Sequence, residues 1–209
     1  MNTEIRVLIV EDHFLARIAL RGLFDTLGGV RVVAETGAGE EAIRLYHEHQ
    51  PDVVLMDLKL NGISGFDAIE RIHREYPSSR ILVLSNFQGG EDVHRAMRAG
   101  ARGYLTKDVD GRQLADALQV VASGGRYLPK FLESRLADCL PGTGITPRER
   151  AVLELLAKGF STTDIARQGN IAEKTVRIHI SNVLEKLGAR DRTQALVLAL
   201  KRGIIHLDS

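Results

Sequence analysis

At 209 residues the chain exceeds one typical domain, and 44% hydrophobic with 26% charged residues excludes fibrous and disordered classes. No apolar run approaches the roughly 20 residues that span a bilayer, the N-terminus lacks a secretory leader pattern, and the single Cys139 leaves no internal disulfide framework, so a membrane-free cytoplasmic protein is expected. The net charge of +1 hides a polarity: residues 1–125 carry 14 Lys and Arg against 18 Asp and Glu, and residues 126–209 carry 14 against 9, so the second half suits a polyanion.

Apolar runs at 5–10, 30–34, 53–57, 81–85 and 102–105 are separated by segments long enough for crossover helices. That alternation predicts a five-stranded parallel sheet covered on both faces, a doubly wound α/β fold of the flavodoxin-like kind. A flavin is not expected, because Asp12-His13-Phe14 stands where a glycine-rich phosphate loop would follow the first strand. Three of the runs lead straight into ionisable residues: Glu11 and Asp12 after the first, Asp57 after the third, Lys107 after the fifth. Three carboxylates and an ammonium therefore converge on the carboxyl edge of the sheet, where open α/β folds do their chemistry. Carboxylates so close require a cation, and hard oxygen ligands suit Mg²⁺. An Asp57 so neutralised could act as a nucleophile toward phosphorus while Lys107 holds the incoming oxygens. His13 reads as a surface or capping residue, since an oxygen-lined Mg²⁺ site has no need of imidazole.

This pattern, with Ser85 after Ile81-Leu82-Val83-Leu84 and Tyr104 before Lys107, resembles the receiver domain of two-component response regulators over roughly residues 4–124. The resemblance implies that Glu11, Asp12, Asp57 and the backbone carbonyl of Lys59 hold Mg²⁺, that Asp57 is the phosphoacceptor, and that Ser85 and Lys107 serve the phosphotransfer. It also implies that Ser85 and Tyr104 switch, Tyr104 moving inward when Ser85 is drawn to the phosphoryl group. Asn61 stands where the family usually has Pro. A phosphatase of the haloacid dehalogenase type needs a second Asp two positions on, and Asp57-Leu58-Lys59 breaks that pattern.

Ser123-Gly124-Gly125 reads as a helix stop, residues 128–140 as a short connecting helix and Pro141-Gly142-Thr143-Gly144 as a hinge. The predicted organisation is thus a receiver at 1–124, a linker at 125–144 and a small all-α domain at 145–209. In the last, Thr146-Pro147-Arg148-Glu149 combines capping-box spacing with proline at the first helical position. Helices are predicted over 147–158, 161–168, 172–187 and 192–201, the second and third joined by a turn containing Gly169, as in a helix-turn-helix. On the third, Val176, Ile180, Val183, Leu184 and Leu187 form a core stripe, and Lys174, Arg177, Ile178, Ser181 and Glu185 an outward one. His179 falls between them and is assigned to packing.

Ile145 to Arg150, Leu156 to Ser161, Ile165-Ala166, Lys174 to His179 and Lys186-Leu187-Gly188 resemble the LuxR-type DNA-binding domain, and a receiver joined to it is the arrangement of the NarL/FixJ family. Arg177, Ile178 and Ser181 are then expected to read bases in double-stranded DNA, and Lys174, Thr175 and Lys186 to meet phosphates. The final helix is apolar nearly all round; Thr193, Leu196, Val197 and Leu200 are the expected homodimer surface. Two departures stand out: Gly169 replaces a usual apolar residue, often Leu, and Ala172 a common Ser or Thr. The function implied is a response regulator phosphorylated on Asp57 by a partner histidine kinase, not an enzyme beyond its own phosphotransfer and dephosphorylation. The rival is a phosphorylation-independent DNA binder with a pseudo-receiver.

Overall fold

The computed structural model describes residues 4–138 and 145–206. Cys139 and the hinge read at 141–144 lie outside the described residues. The first unit runs β1 (Ile5–Val10), α1 (Phe14–Leu27), β2 (Val30–Thr36), α2 (Gly39–His49), β3 (Val53–Met56), α3 (Gly65–Glu75), β4 (Ile81–Ser85), α4 (Gly90–Ala99), β5 (Gly103–Thr106) and α5 (Gly111–Ala122). All five strands are parallel, in the order β2-β1-β3-β4-β5.

Strand alternation sorts the core into two layers. Val7, Ile9, Val53, Leu55, Leu82, Leu84 and Leu105 join Leu20 and Phe24 of α1 and Leu114, Leu118 and Val121 of α5 in one cluster. The intervening Leu8, Val10, Val54, Met56, Ile81, Val83 and Tyr104 are equally buried and face the other side. Every residue of β3 and β4 is buried, which is why Val53 to Met56 and Ile81 to Leu84 are apolar without a polar alternate. Four strand bounds differ from the predicted runs: β3 ends at Met56 rather than 57, β5 begins at Gly103 rather than 102, and β2 and β5 end later than predicted. β2 extends to Thr36 because Thr36 pairs with Val10, and β5 extends to Thr106 because Thr106 pairs with Ser85.

A short helix, α6 (Lys130–Asp138), follows α5. The helical unit comprises α7 (Pro147–Ala157), α8 (Thr162–Gln168), α9 (Glu173–Leu187) and α10 (Arg192–Arg202). Its starts are chemically distinct. Thr146 and Glu149 form a complete capping box on α7, Ser161 and Asp164 form another on α8, and Asp191 caps α10. By contrast α9 begins at Ala172 with no side-chain cap. The long α9 divides two small cores. Val176 and Ile180 pack with Val152, Ile165 and Ala166, while Val183 and Leu187 pack with Leu153, Ala195, Ala199, Ile204 and Ile205.

Candidate functional site

The carboxyl ends of β1, β3, β4 and β5 lie side by side because the strands are parallel and adjacent. Main-chain bonds continue the ladder past the strand ends: Asp57 N donates to Val10 O at 2.8 Å, and Lys107 N donates to Ser85 O at 3.0 Å. This brings Glu11, Asp12, Asp57 and Lys107 together. Lys107 Nζ lies 2.5 Å from Glu11 Oε2 and donates to Asp57 Oδ2 at 2.7 Å. The other Asp57 oxygen accepts from Leu58 N at 2.6 Å and Lys59 N at 3.3 Å. Glu11 and Asp57 are only 2% and 4% exposed.

Burial raises the Asp57 carboxyl above its ordinary range, and the Lys107 ammonium only partly opposes this. Burial would lower Lys107, but its bonds to Asp57 and Glu11 outweigh that and hold the ammonium above its usual value. One polar atom is left over. Asp12 Oδ1 is buried without a hydrogen bond, although His13 Nδ1 stands 2.8 Å from it without hydrogen-bond geometry. Ligand atoms of Glu11, Asp12, His13 and Asp57 all lie within 4.8 Å of one another. Three carboxylates, one carrying an orphaned buried oxygen, fit a hard divalent cation such as Mg²⁺.

Ser85 and Tyr104 meet on the main chain of a single residue, Phe87. Ser85 Oγ accepts from Phe87 N at 3.3 Å, and Tyr104 OH donates to Phe87 O at 2.9 Å. Tyr104 stands in the inward position, the one expected of it when Ser85 is drawn to the phosphoryl group. The ring is fully buried, because its hydroxyl has a carbonyl partner there. His13 is exposed at the cap position of α1, as a surface residue; its side chain makes no cap bond, and Nδ1 turns to Glu11 Oε1 at 3.0 Å.

Two residues the sequence reading passed over position the site. A Cβ on Gly65 would collide with the Asp57 carbonyl oxygen and lie 2.7 Å from Leu58 Cα, so only glycine lets α3 start against the Asp57 loop. Arg17 Nη1 donates to Glu11 O at 2.5 Å, fixing the β1–α1 turn. Gly65 is visible in sequence as a glycine after Ser64, the cap of α3; nothing in the spacing distinguishes Arg17 from other arginines.

In the helical unit, Lys174, Arg177, Ile178, Ser181 and Glu185 are all exposed on α9, and Thr175 is half-buried. Ile178 is 50% exposed, a large apolar side chain in water on an otherwise polar face. Arg177 makes a 3.3 Å pair with Glu173, one turn earlier. Lys186 departs from the expected phosphate contact. Its Nζ donates to Glu149 Oε1 at 2.9 Å and Oε2 at 2.7 Å, tying α9 to the capping box of α7. Burial alone would raise the Glu149 carboxyl; Lys186 and Thr146 hold it below its ordinary range. The expected dimer surface on α10 is also divided. Thr193 and Val197 are exposed, whereas Leu196 and Leu200 are half-buried against the unit's own core.

Residues 7–119 match the family model described as response regulator receiver domain, and residues 143–199 match that of bacterial regulatory proteins, luxR family. The response regulator protein VraR of Staphylococcus aureus is 34% identical over 207 residues, covering 97% of this chain and 99% of VraR. A two-component response regulator of the LuxR family from Aurantimonas sp. SI85-9A1 is 36% identical with a TM-score of 0.61, covering 64% of this chain and 96% of that one. RcsB from Salmonella enterica serovar Typhimurium, bound to promoter P1flhDC in the presence of a phosphomimetic, is 25% identical with a TM-score of 0.68, covering 93% of this chain and 97% of that one.

Proposed function

From the premise that the chain belongs to the response regulators that join a receiver domain to a LuxR-type DNA-binding domain, we propose that phosphorylation of Asp57 controls its dimerisation and its binding to specific DNA sequences. The observation that carries this reading is the buried Asp57 carboxylate clamped by Lys107 beside Glu11 and the orphaned oxygen of Asp12. An Asp57 oxygen attacks phosphorus of a phosphohistidine on a partner histidine kinase, or of a small phosphodonor, forming the acyl phosphate as the bond to the donor breaks. Mg²⁺ held by Glu11, Asp12, Asp57 and the Lys59 carbonyl would neutralise the charge gathering on the phosphoryl oxygens. Lys107 leaves the carboxylate to contact those oxygens. Ser85 exchanges the Phe87 amide for the phosphoryl group, and through Phe87 the change reaches Tyr104 and the β4–α4 segment.

Moving an equilibrium from 1:99 to 99:1 takes about 5.5 kcal/mol. Two or three charge-assisted hydrogen bonds, at roughly 1.5 to 3 kcal/mol each, are of that size. The receiver is not an enzyme beyond its own phosphotransfer and dephosphorylation, and the protein is cytoplasmic. Its DNA contacts are Arg177, Ile178 and Ser181 toward bases and Lys174 and Thr175 toward phosphates; the promoter-bound RcsB relative supports this reading. Dimerisation uses the exposed part of α10 around Thr193 and Val197, with Leu196 and Leu200 beside it, so two half-sites about one helical turn apart are expected.

The test is to incubate the protein with Mg²⁺ and a small phosphodonor and to measure both a base-labile acyl phosphate and DNA affinity. Labelling at Asp57 with tighter binding supports the proposal. Sequence-specific binding with no acyl phosphate would instead establish the pseudo-receiver.

A further inference from the structure

The turn between α8 and α9 holds a feature that neither phosphorylation nor base reading uses. An open cavity of about 280 Å³ lies between α7, α8 and α9, with Ala151, Val152, Leu155, Ile165 and Ile171 supplying its apolar lining. Gly169 forms part of the wall. Its backbone does not call for glycine: φ is −83°, and the left-handed position of this turn belongs to Asn170 at φ 47°. A Cβ at Gly169 would meet Ile165 O at 3.2 Å and Ile171 Cγ1 at 3.5 Å, close but without backbone strain. What the missing side chain does is leave the cavity open. Any larger apolar residue at this position would reach toward the Ile171 side of the wall.

The polar part of the lining comes from Arg148 and His179. Among the described residues, neither side chain makes a hydrogen bond or an ion pair. A guanidinium and an imidazole without partners, beside an apolar hollow, are complementary to a molecule with an apolar body and an anionic end. We propose that this cavity binds a small apolar carboxylic acid, its hydrocarbon part against Val152, Leu155 and Ile171 and its carboxylate toward Arg148 and His179. The volume falls just below the roughly 300 to 1,000 Å³ of ordinary small-molecule sites, which selects a single aromatic or short-chain acid over a larger ligand. Because Ile171 belongs to the turn and His179 to α9, the occupant would touch both parts of the helix-turn-helix.

The experiment is a titration of the full-length, isotope-labelled protein with 1-naphthoate and with the uncharged 1-naphthalenemethanol, read from backbone amide shifts. Saturable shifts confined to the residues around Gly169, with the alcohol binding about fivefold or more weakly, are expected. Gly169→Leu should abolish them by filling the cavity. Arg148→Gln, a change at an exposed position that leaves the core intact, should equalise acid and alcohol. The proposal is overturned by any of three results: no saturable shift with the acid, binding that survives in a folded Gly169→Leu protein, or an acid preference unchanged by Arg148→Gln.

Discussion

The acidic edge of the sheet and the outward face of α9 are built on opposite plans. At the sheet edge Glu11, Asp57, Ser85 and Tyr104 are buried and held by neighbours: Lys107 bridges Glu11 and Asp57, and Phe87 is shared by Ser85 and Tyr104. On α9 Lys174, Arg177, Ile178 and Ser181 are exposed, and among the described residues their side chains make only an i,i+4 pair, Arg177 with Glu173. Precision there is delegated to the back of the helix, where Lys186 is tied to Glu149 and Val176, Ile180, Val183 and Leu187 are packed. A site that performs bond-making chemistry needs its geometry before the substrate arrives. A surface that reads a partner's shape needs only a firm platform, since its exposed side chains settle on contact.

The largest test of this contrast is Asp57→Asn. The amide keeps the shape and removes one of two buried carboxylates facing a single ammonium, so the fold should persist while acyl-phosphate formation disappears entirely, measured by base-labile phosphate incorporation. Labelling that continued undiminished would dissolve the assigned role of the sheet edge.

Breaking the platform behind α9 comes next. Lys186→Met removes the cation from a carboxylate that is 2% exposed, and should cost about 2 to 4 kcal/mol, less than a fully buried pair because the lysine side chain keeps 31% of its exposure. In the parent, Glu149 titrates below its ordinary value of 4.5, so its contribution is present above that pH and lost as pH falls through its lowered folded-state value. The variant should lack this gain between acid and neutral pH, read from the pH dependence of the melting of α7–α10. A purely phosphate-binding lysine would instead leave stability unchanged and lower the salt dependence of DNA affinity.

A smaller loss, confined to recognition, is expected from Arg177→Ala. Its exposed pair with Glu173 is worth little, so stability should barely change. Affinity for the preferred sequence should fall by about 1 to 3 kcal/mol if the guanidinium pairs with guanine, and discrimination at that base pair should flatten. Equal weakening on all sequences in a competition assay would move Arg177 to the phosphate contacts.

These outcomes follow the line between what the sequence showed and what it concealed. The five strands were legible because both faces of β3 and β4 are covered, which makes Val53 to Met56 and Ile81 to Leu84 continuous apolar runs. The charged groups were legible because each follows such a run directly. The role of Lys186 was not, since a lysine near a helix end reads the same whether it faces a phosphate or the carboxylate of a helix 37 residues away. Tyr104's inward position depends on a hydroxyl reaching the Phe87 carbonyl, a tertiary contact no local pattern encodes. Nor does spacing distinguish Gly65, required by the close approach of Asp57, from Gly169, whose φ of −83° any residue adopts.

The smallest expected effect sharpens the comparison at the N-terminus of α9. Helices α7, α8 and α10 start on Thr146, Ser161 and Asp191, each accepting a bond from the amide three residues on, while Ala172 leaves the first amides of α9 without a side-chain acceptor. Ala172 has the extended backbone of a cap residue, φ −69° and ψ 144°, so Ser can take the cap conformation without rearrangement. Ala172→Ser should therefore stabilise the helical unit by about 0.5 to 1 kcal/mol and slow amide exchange in the first turn of α9. If the outward face relies on its platform alone, DNA affinity should stay the same while stability rises. A rise in affinity matching the gain in stability would show instead that fraying at Lys174 and Thr175 limits binding, and that this face, like the sheet edge, depends on geometry set in advance.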